Sequence, residues 1–142
     1  MACALITGGT GGIGTALTKC FVDNGYHVLC THNNKSESLL SQWLTDNNLA
    51  TQKVTFISLD INEVAETMHK LETLLLEFQV DVLVNNAGVT NDATFLNMSF
   101  NQWNDVIRTN LVGLFGVTQV IARQMALRGA GNIVNISSIN GC

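Results

Sequence analysis

At 142 residues, with 46% hydrophobic and 13% charged residues and a mean hydropathy of +0.24, the chain is one domain's worth and can bury a core. Its formal net charge of −4 and the absence of any Lys/Arg run exclude a basic surface for nucleic acid. No stretch approaches the roughly 18 to 20 apolar residues that span a bilayer, and residues 1–7 are too short for a signal peptide, so a cytoplasmic protein with no membrane attachment is expected.

Residues 2–7 read as a buried strand, followed by glycine-rich sequence and a helix carrying Ile13, Ala16, Leu17, Cys20 and Phe21 at helical spacing up to Asn24-Gly25. Residues 27–31 form the next strand, after which Ser36 or Ser38 can cap a helix with Leu39, Leu40, Trp43 and Leu44 on one side. A third strand covers 54–59. Asn62 is expected to cap the helix that follows, whose Val64, Met68, Leu71, Leu75 and Phe78 make one apolar stripe. Residues 81–85 return as a fourth strand. Ser99 with Gln102 has the spacing of a capping box, opening a long helix to about residue 129, and 132–136 is a fifth strand.

Short apolar strands alternating with helices require parallel βαβ units, because hairpin turns are absent where an antiparallel pairing would need them. The fold class is therefore α/β: a Rossmann-like, doubly wound parallel sheet in three layers, α/β/α, forming a single nucleotide-binding domain over residues 1–142. Such sheets bind ligands outside the carboxyl ends of their strands, where strand order reverses.

Thr7-Gly8-Gly9-Thr10-Gly11-Gly12-Ile13-Gly14 lies between the first strand and the first helix. There, exposed N–H groups and the helix dipole favour a pyrophosphate, and glycines let it approach the backbone. A glycine run alone may be only a tight turn; its place in a βαβ unit is what points to a dinucleotide. It is not a P-loop, since no Gly-Lys-Ser/Thr follows. The four cysteines, Cys3, Cys20, Cys30 and Cys142, form no C-x-x-C pair and no zinc-like spacing, so small buried thiols and no metal are expected.

The Thr-Gly-x-x-x-Gly-x-Gly spacing resembles the short-chain dehydrogenase/reductase family, and the resemblance continues along the chain. Asn85-Asn86-Ala87-Gly88 is similar to that family's signature after the fourth strand, Thr109-Asn110-Leu111 to its helix asparagine, and Ile133-Val134-Asn135-Ile136-Ser137-Ser138 to the strand that delivers its serine. The resemblance implies that Gly8, Gly9, Thr10, Gly11, Gly12, Ile13 and Gly14, together with Asn86, Ala87 and Gly88, hold a nicotinamide dinucleotide. Asp60-Ile61 would bracket its adenine, though Asp60 can equally cap a helix. It also implies that Ser138, chosen over Ser137 from the pattern Ser138-Ile139-Asn140-Gly141, polarises the substrate carbonyl, and that Asn110 holds a proton-relaying water; the alternative for Asn110 is a plain backbone bond. Asp92, Ser138 and Asn140 are expected on the substrate side.

The family's tyrosine and lysine are absent from these residues, because Tyr26, the single tyrosine, has no lysine four residues on. The chain is thus expected to stop after the fifth strand of a longer reductase, to be inactive alone and to leave surfaces that self-associate. The second strand ends in Cys30-Thr31-His32-Asn33-Asn34-Lys35 with no acid to bind a ribose 2′-hydroxyl, so NADP(H) is favoured over NAD(H), with Asn33, Asn34 or Lys35 meeting the 2′-phosphate. Within the family, the segments around Asn86–Asp92, Trp103–Ile107 and Arg128–Gly141 most resemble acetoacetyl-CoA reductases, then 3-oxoacyl-acyl-carrier-protein reductases. That implies reduction of a 3-oxoacyl thioester carried on CoA or an acyl-carrier protein, by an enzyme that is commonly a homo-oligomer. Two other readings stay open: a non-catalytic dinucleotide-binding or interaction module, and a half that complements a catalytic half on another chain.

Overall fold

Alternation decides which way each strand residue points, and in the first strand, β1 (Cys3–Ile6), both faces are apolar and buried. In this computed structural model, which describes residues 1–138, β1 is flanked by β2 (His27–His32) and β4 (Val82–Asn85). Outside them lie β3 (Val54–Ser58) and β5 (Asn132–Asn135), giving the order β3-β2-β1-β4-β5 with every pair parallel. The expected doubly wound sheet is present. Cys3, Leu5, Leu29 and Leu83 join one core with Leu71, Val117, Ile121 and Met125, while Ala4, Ile6, Val28 and Val84 join another with Leu44. These two cores glue helices to opposite faces and make the three layers.

The chain leaves β1 toward β2 and β3, then returns to the other side of β1 for β4 and β5. Strand order therefore reverses between β1 and β4, which opens a crevice at their carboxyl ends.

Several local expectations are corrected. Helix α1 (Gly12–Asp23) buries Gly14 and Thr18, while Ile13, Ala16 and Cys20 are exposed. The reason is close approach: a Cβ at Gly14 would collide with the Gly8 carbonyl oxygen and the Gly9 Cα, so glycine faces the loop. Cys20 is consequently not one of the buried thiols; Cys3 and Cys30 are, and Cys142 lies outside the described residues. Burial pushes the Cys30 thiol up to about 11, which makes it an inert core residue. In α2 (Glu37–Asp46) the cap is Ser36, whose Oγ accepts from the Leu39 N–H at 3.4 Å; Leu40 and Leu44 are buried and Leu39 is exposed.

Asn62 does not cap α3 (Val64–Leu74). Its side-chain oxygen accepts from the Thr109 hydroxyl at 2.9 Å, and the helix start is organised by Asp60, whose carbonyl oxygen accepts from the Glu63 N–H and the Thr67 hydroxyl. The helical stripe stops at Leu74, with Leu75 and Phe78 packing on the core from the turn beyond.

The capping box at Ser99 and Gln102 is present and opens α4 (Phe100–Ile107). The expected long helix then widens into a π-helical stretch, Arg108–Gly113, before continuing as α5 (Leu114–Arg128) to Gly129, whose φ of 69° ends it. Gly113 and Gly116 face β3's end and α3: a Cβ would sit 2.8 Å from the Ile61 carbonyl oxygen and from Val64 Cγ1 respectively. The small residues thus set how closely this helix approaches the Asp60-Ile61 turn.

Candidate cofactor site

Thr7 follows β1 directly and organises the crevice. Its hydroxyl oxygen accepts from the backbone N–H groups of Asn86 and Ala87, each at 2.9 Å, and Thr7 is 3% exposed. Asn86 answers in the opposite direction, donating its side-chain amide to the carbonyl oxygens of Thr7 at 2.9 Å and Gly8 at 3.2 Å. The glycine loop and the segment after β4 are in this way laced into one wall. On the other side, Thr31 receives the Gly8 N–H on its hydroxyl and the Gly9 N–H on its carbonyl, both at 3.0 Å, and Thr18 donates to the Gly9 carbonyl at 3.2 Å.

Gly8 has a φ of 62°, and a Cβ there would meet Ala87 Cα at 3.3 Å. Gly9 carries no Cβ for a packing reason, since one would lie 2.5 Å from Cys30 Sγ. Gly12 is different, because a Cβ there would meet nothing within 4 Å. Gly11, the residue before α1, supplies no side-chain cap, so the first-turn donors of Gly12, Ile13 and Gly14 remain for an anion.

Loop, β2 end, β3 end and β4 end together enclose a cavity of about 510 Å³. Of the residues expected to hold a cofactor, it is lined by Gly8, Thr10, Gly11, Ile13, Asn33, Lys35, Asp60, Ile61, Asn86, Ala87 and Gly88. Gly9, Gly12 and Gly14 shape the loop without lining the cavity, and Asn34, with a φ of 50°, serves the turn after β2. Asp60 lines the cavity, and its Oδ1 accepts from the Asn62 N–H at 3.0 Å, ahead of α3, whose N-cap is Glu63 with no side-chain cap bond, so the Asp60 carboxylate is not a helix cap.

Sequence reasoning missed Thr7, Thr31 and His32. Thr7 had a readable signal, since a hydroxyl directly after a buried strand and next to glycine has backbone donors to satisfy, whereas Thr31, the penultimate residue of β2, has no glycine beside it in sequence to mark it. His32 lines the cavity, is 7% exposed, and accepts the Lys35 N–H on Nδ1 at 3.2 Å. Burial, and then the neighbouring Lys35 charge, hold its imidazole below the usual histidine value. Lys35 extends its Nζ toward the Thr10 carbonyl oxygen at 3.4 Å.

Asn110 stands on the π-helical stretch and clamps Val89: its Oδ1 accepts the Val89 N–H and its Nδ2 donates to the Val89 carbonyl, both at 2.9 Å. One amide hydrogen and one lone pair are left for another partner. Asp92 is exposed, three residues beyond Val89, and does not line the cavity. Ser138 is exposed three residues past the end of β5; Asn140 lies outside the described residues. Tyr26 precedes β2 at the opposite end of the sheet, edge-on to Phe21 at 5.1 Å between ring centres, and so is remote from the crevice. Among the described residues, no group of three or more His, Cys, Asp or Glu stands together to hold a metal, and no helix is long and apolar enough to cross a membrane.

Comparison with known proteins agrees with this geometry. An acetoacetyl-CoA reductase from Acinetobacter sp. is 45% identical over 139 residues, covering 97% of this chain and 56% of that protein. The 3-oxoacyl-[acyl-carrier-protein] reductase FabG of Chlamydia trachomatis is 34% identical over 140 residues, again covering 97% of this chain and 56% of the relative. The chain therefore spans about half the length of these relatives. Among solved structures, ElxO with NADP bound superposes with a TM-score of 0.89 at 30% identity, covering 99% of this chain and 56% of the other. A variant of actinorhodin polyketide ketoreductase solved with NADPH gives 0.86 at 33% identity, covering 99% and 54%. The sequence model of the short chain dehydrogenases matches residues 2–142. With that match running almost from end to end, and with glycine loop, Asn86 lacing and Asn110 clamp in place, the chain belongs to the short chain dehydrogenase family of oxidoreductases.

Proposed function

We propose that this chain forms the NADP(H)-binding part of a reductase acting on 3-oxoacyl thioesters, with acetoacetyl-CoA, reduced to (R)-3-hydroxybutyryl-CoA, as the substrate. The observation that carries the cofactor half is the crevice itself: an open position at Gly12, unspent first-turn donors in α1 and a cavity of about 510 Å³ whose β2 side holds Lys35 and no acid. The substrate half is supported by the relatives named acetoacetyl-CoA reductase. A bound nicotinamide supplies a hydride.

The chain's own residues do the remaining work assigned here. Gly8 to Gly14 and the α1 N-terminus take the pyrophosphate; Asp60 and Ile61 flank the adenine; Ala87 and Gly88 leave room beside it; Asn33, Asn34 and Lys35 face a 2′-phosphate. Asn86 acts by positioning, because its amide is spent on the loop carbonyls. Ser138 donates to the substrate carbonyl oxygen and stabilises the alkoxide that develops there. Asn110 offers its remaining amide hydrogen and lone pair to a proton-relaying water. Asp92 and Asn140 are assigned to the rim of the thioester channel, and the protein is proposed to work in the cytoplasm as a homo-oligomer.

The test is spectrophotometric. Consumption of NADPH at 340 nm is followed with acetoacetyl-CoA, with the same acyl group on acyl-carrier protein, and with NADH in place of NADPH. Faster turnover on the CoA thioester with NADPH is expected of a longer reductase that includes this chain, whereas residues 1–142 alone are expected to bind the cofactor without turnover. Preference for the carrier-protein thioester moves the assignment to the 3-oxoacyl-acyl-carrier-protein reductases, the second reading that the Chlamydia relative favours. Cofactor binding by that longer protein without turnover on either thioester would leave a dinucleotide-binding module instead.

A further inference from the structure

An α-helix fixes the direction of its side chains through its own backbone ladder, whereas a π-helical turn carries an extra residue, so that what packs against it sets those directions. The stretch Arg108–Gly113 is of that kind and holds Asn110, so contacts outside the helix decide where the Asn110 amide points. Two strand-end segments supply them. The segment after β4 meets Asn110 itself, through the clamp on Val89. The turn after β3 meets the stretch near both of its ends. There the Thr109 hydroxyl donates to Asn62 Oδ1 at 2.9 Å, and Gly113 lies so close that a Cβ would stand 2.8 Å from the Ile61 carbonyl oxygen. Arg108 reaches the same turn through the Asn62 carbonyl at 3.2 Å and Glu63 at 3.1 Å, but both side chains of that ion pair are more than half exposed and water competes for them. Thr109 is 8% exposed, which makes its bond the shielded one. Asn62 directs its side chain to Thr109 although Glu63, beside it, leaves the start of α3 without a side-chain cap.

We infer that Thr109 and Asn62 are positioning residues for the reduction: their hydrogen bond braces the π-helical stretch against the turn after β3, so that Asn110 presents its remaining amide hydrogen and lone pair to the crevice. This rests on the role proposed above for Asn110 and extends it to a pair that acts only through Asn110. Thr109 is the residue immediately before it, so a shift at Thr109 passes directly into the Asn110 backbone. Loss of the bond lets the stretch rotate. The Val89 clamp loosens first, because Oδ1 and Nδ2 of one amide must both stay in line with the two backbone groups of a single residue.

The experiment follows Thr109→Val, Thr109→Ser and Asn62→Ala by residue-resolved amide hydrogen exchange in this chain. Steady-state turnover is measured in the longer reductase that includes it, with NADPH and whichever thioester it reduces faster, and thermal melts verify folding. Thr109→Val keeps the shape and loses the hydroxyl. It should speed exchange of the Val89 amide roughly tenfold, while the Asn86 and Ala87 amides, held by Thr7, keep their rates. In the reductase kcat should fall by a similar factor at unchanged KM for NADPH, and Thr109→Ser should restore both readouts. Asn62→Ala, at a half-buried position that tolerates truncation, should reproduce both losses and carries the test if the valine variant does not fold. Combining Asn62→Ala with Thr109→Val should cost nothing further, as a shared bond requires. A Val89 amide indifferent to both variants, or kcat losses that simply add in the double variant, overturns the inference. So does a rise in KM for NADPH at constant kcat, which would give the bond to the adenine-flanking turn alone. If Asn110→Ala leaves kcat intact, the proposed role of Asn110 fails and the inference falls with it.

Discussion

Thr7 satisfies two backbone donors with one hydroxyl oxygen, a burden that no apolar residue of the same shape can carry. Thr7→Val should therefore lower stability by about 1–3 kcal/mol, read as a shift of the denaturation midpoint, with Thr7→Ser losing much less; equal stability of the valine variant would show that the lacing is not what holds the wall. The glycines divide by the same reasoning. Gly14→Ala puts a Cβ into the Gly8 carbonyl and should destabilise the fold by about 1–3 kcal/mol. Gly12→Ala meets nothing within 4 Å, so the melting temperature should hold while NADPH affinity, followed by nucleotide fluorescence, falls by more than about tenfold. Loss of both stability and binding in Gly12→Ala would mean that the position serves folding, not a phosphate.

At the scale of elements, Asp81 ties together three of them at the end of the sheet opposite the crevice. Its Oδ2 accepts the Cys3 N–H of β1 at 2.9 Å, its backbone carbonyl accepts the Asn132 N–H of β5, and Arg128 at the end of α5 lies 3.8 Å from Oδ1. The Cys3 hydrogen bond, more than Gln79 or Arg128, holds the carboxyl below its ordinary value. A depressed folded-state pKa stabilises above the unfolded value of about 3.9, and that contribution disappears as pH falls through the folded pKa. The stability advantage over Asp81→Asn should accordingly be full at neutral pH and shrink below about pH 4; a difference constant with pH in chemical denaturation would assign it to packing. Strands and the Ser99 capping box were legible in sequence because their signals are local: alternation, apolar runs and one Ser-x-x-Gln spacing. The α3 start was not, because Asn62 is drawn to Thr109, 47 residues on, and Asp60 takes over. Nor was the π-helical stretch, whose shape goes with the Asn110 clamp on Val89 and with Gly113 meeting Ile61, contacts that helical periodicity does not encode. The candidate site divided likewise: its glycine loop was read from spacing, whereas His32 required the register of β2 and the return of the Lys35 backbone.

Across the whole molecule, burial is lopsided. In β1 and at Val28 and Leu29 of β2 both faces are covered, but every residue of β5 is exposed, with neighbours Ile133 at 40% and Val134 at 44% pointing to opposite faces. A parallel strand bare on both faces is unusual, and its free edge offers unpaired backbone groups to any other chain. The helix crossing that side adds to it: Val117 is buried as the apolar stripe requires, but Leu111 is 60% and Phe115 56% exposed. Residues 1–142 produced by themselves should therefore bind a hydrophobic dye and self-associate at micromolar concentration in sedimentation experiments. Replacing Ile133 and Val134 with lysines, which blunt an edge by charge, should reduce both signals while leaving cofactor-site residues untouched, since neither lines the cavity. A monomer that binds no dye would mean that the bare strand and helix face are protected in some way that these exposures do not reveal, and the proposed homo-oligomer would lose its physical motive.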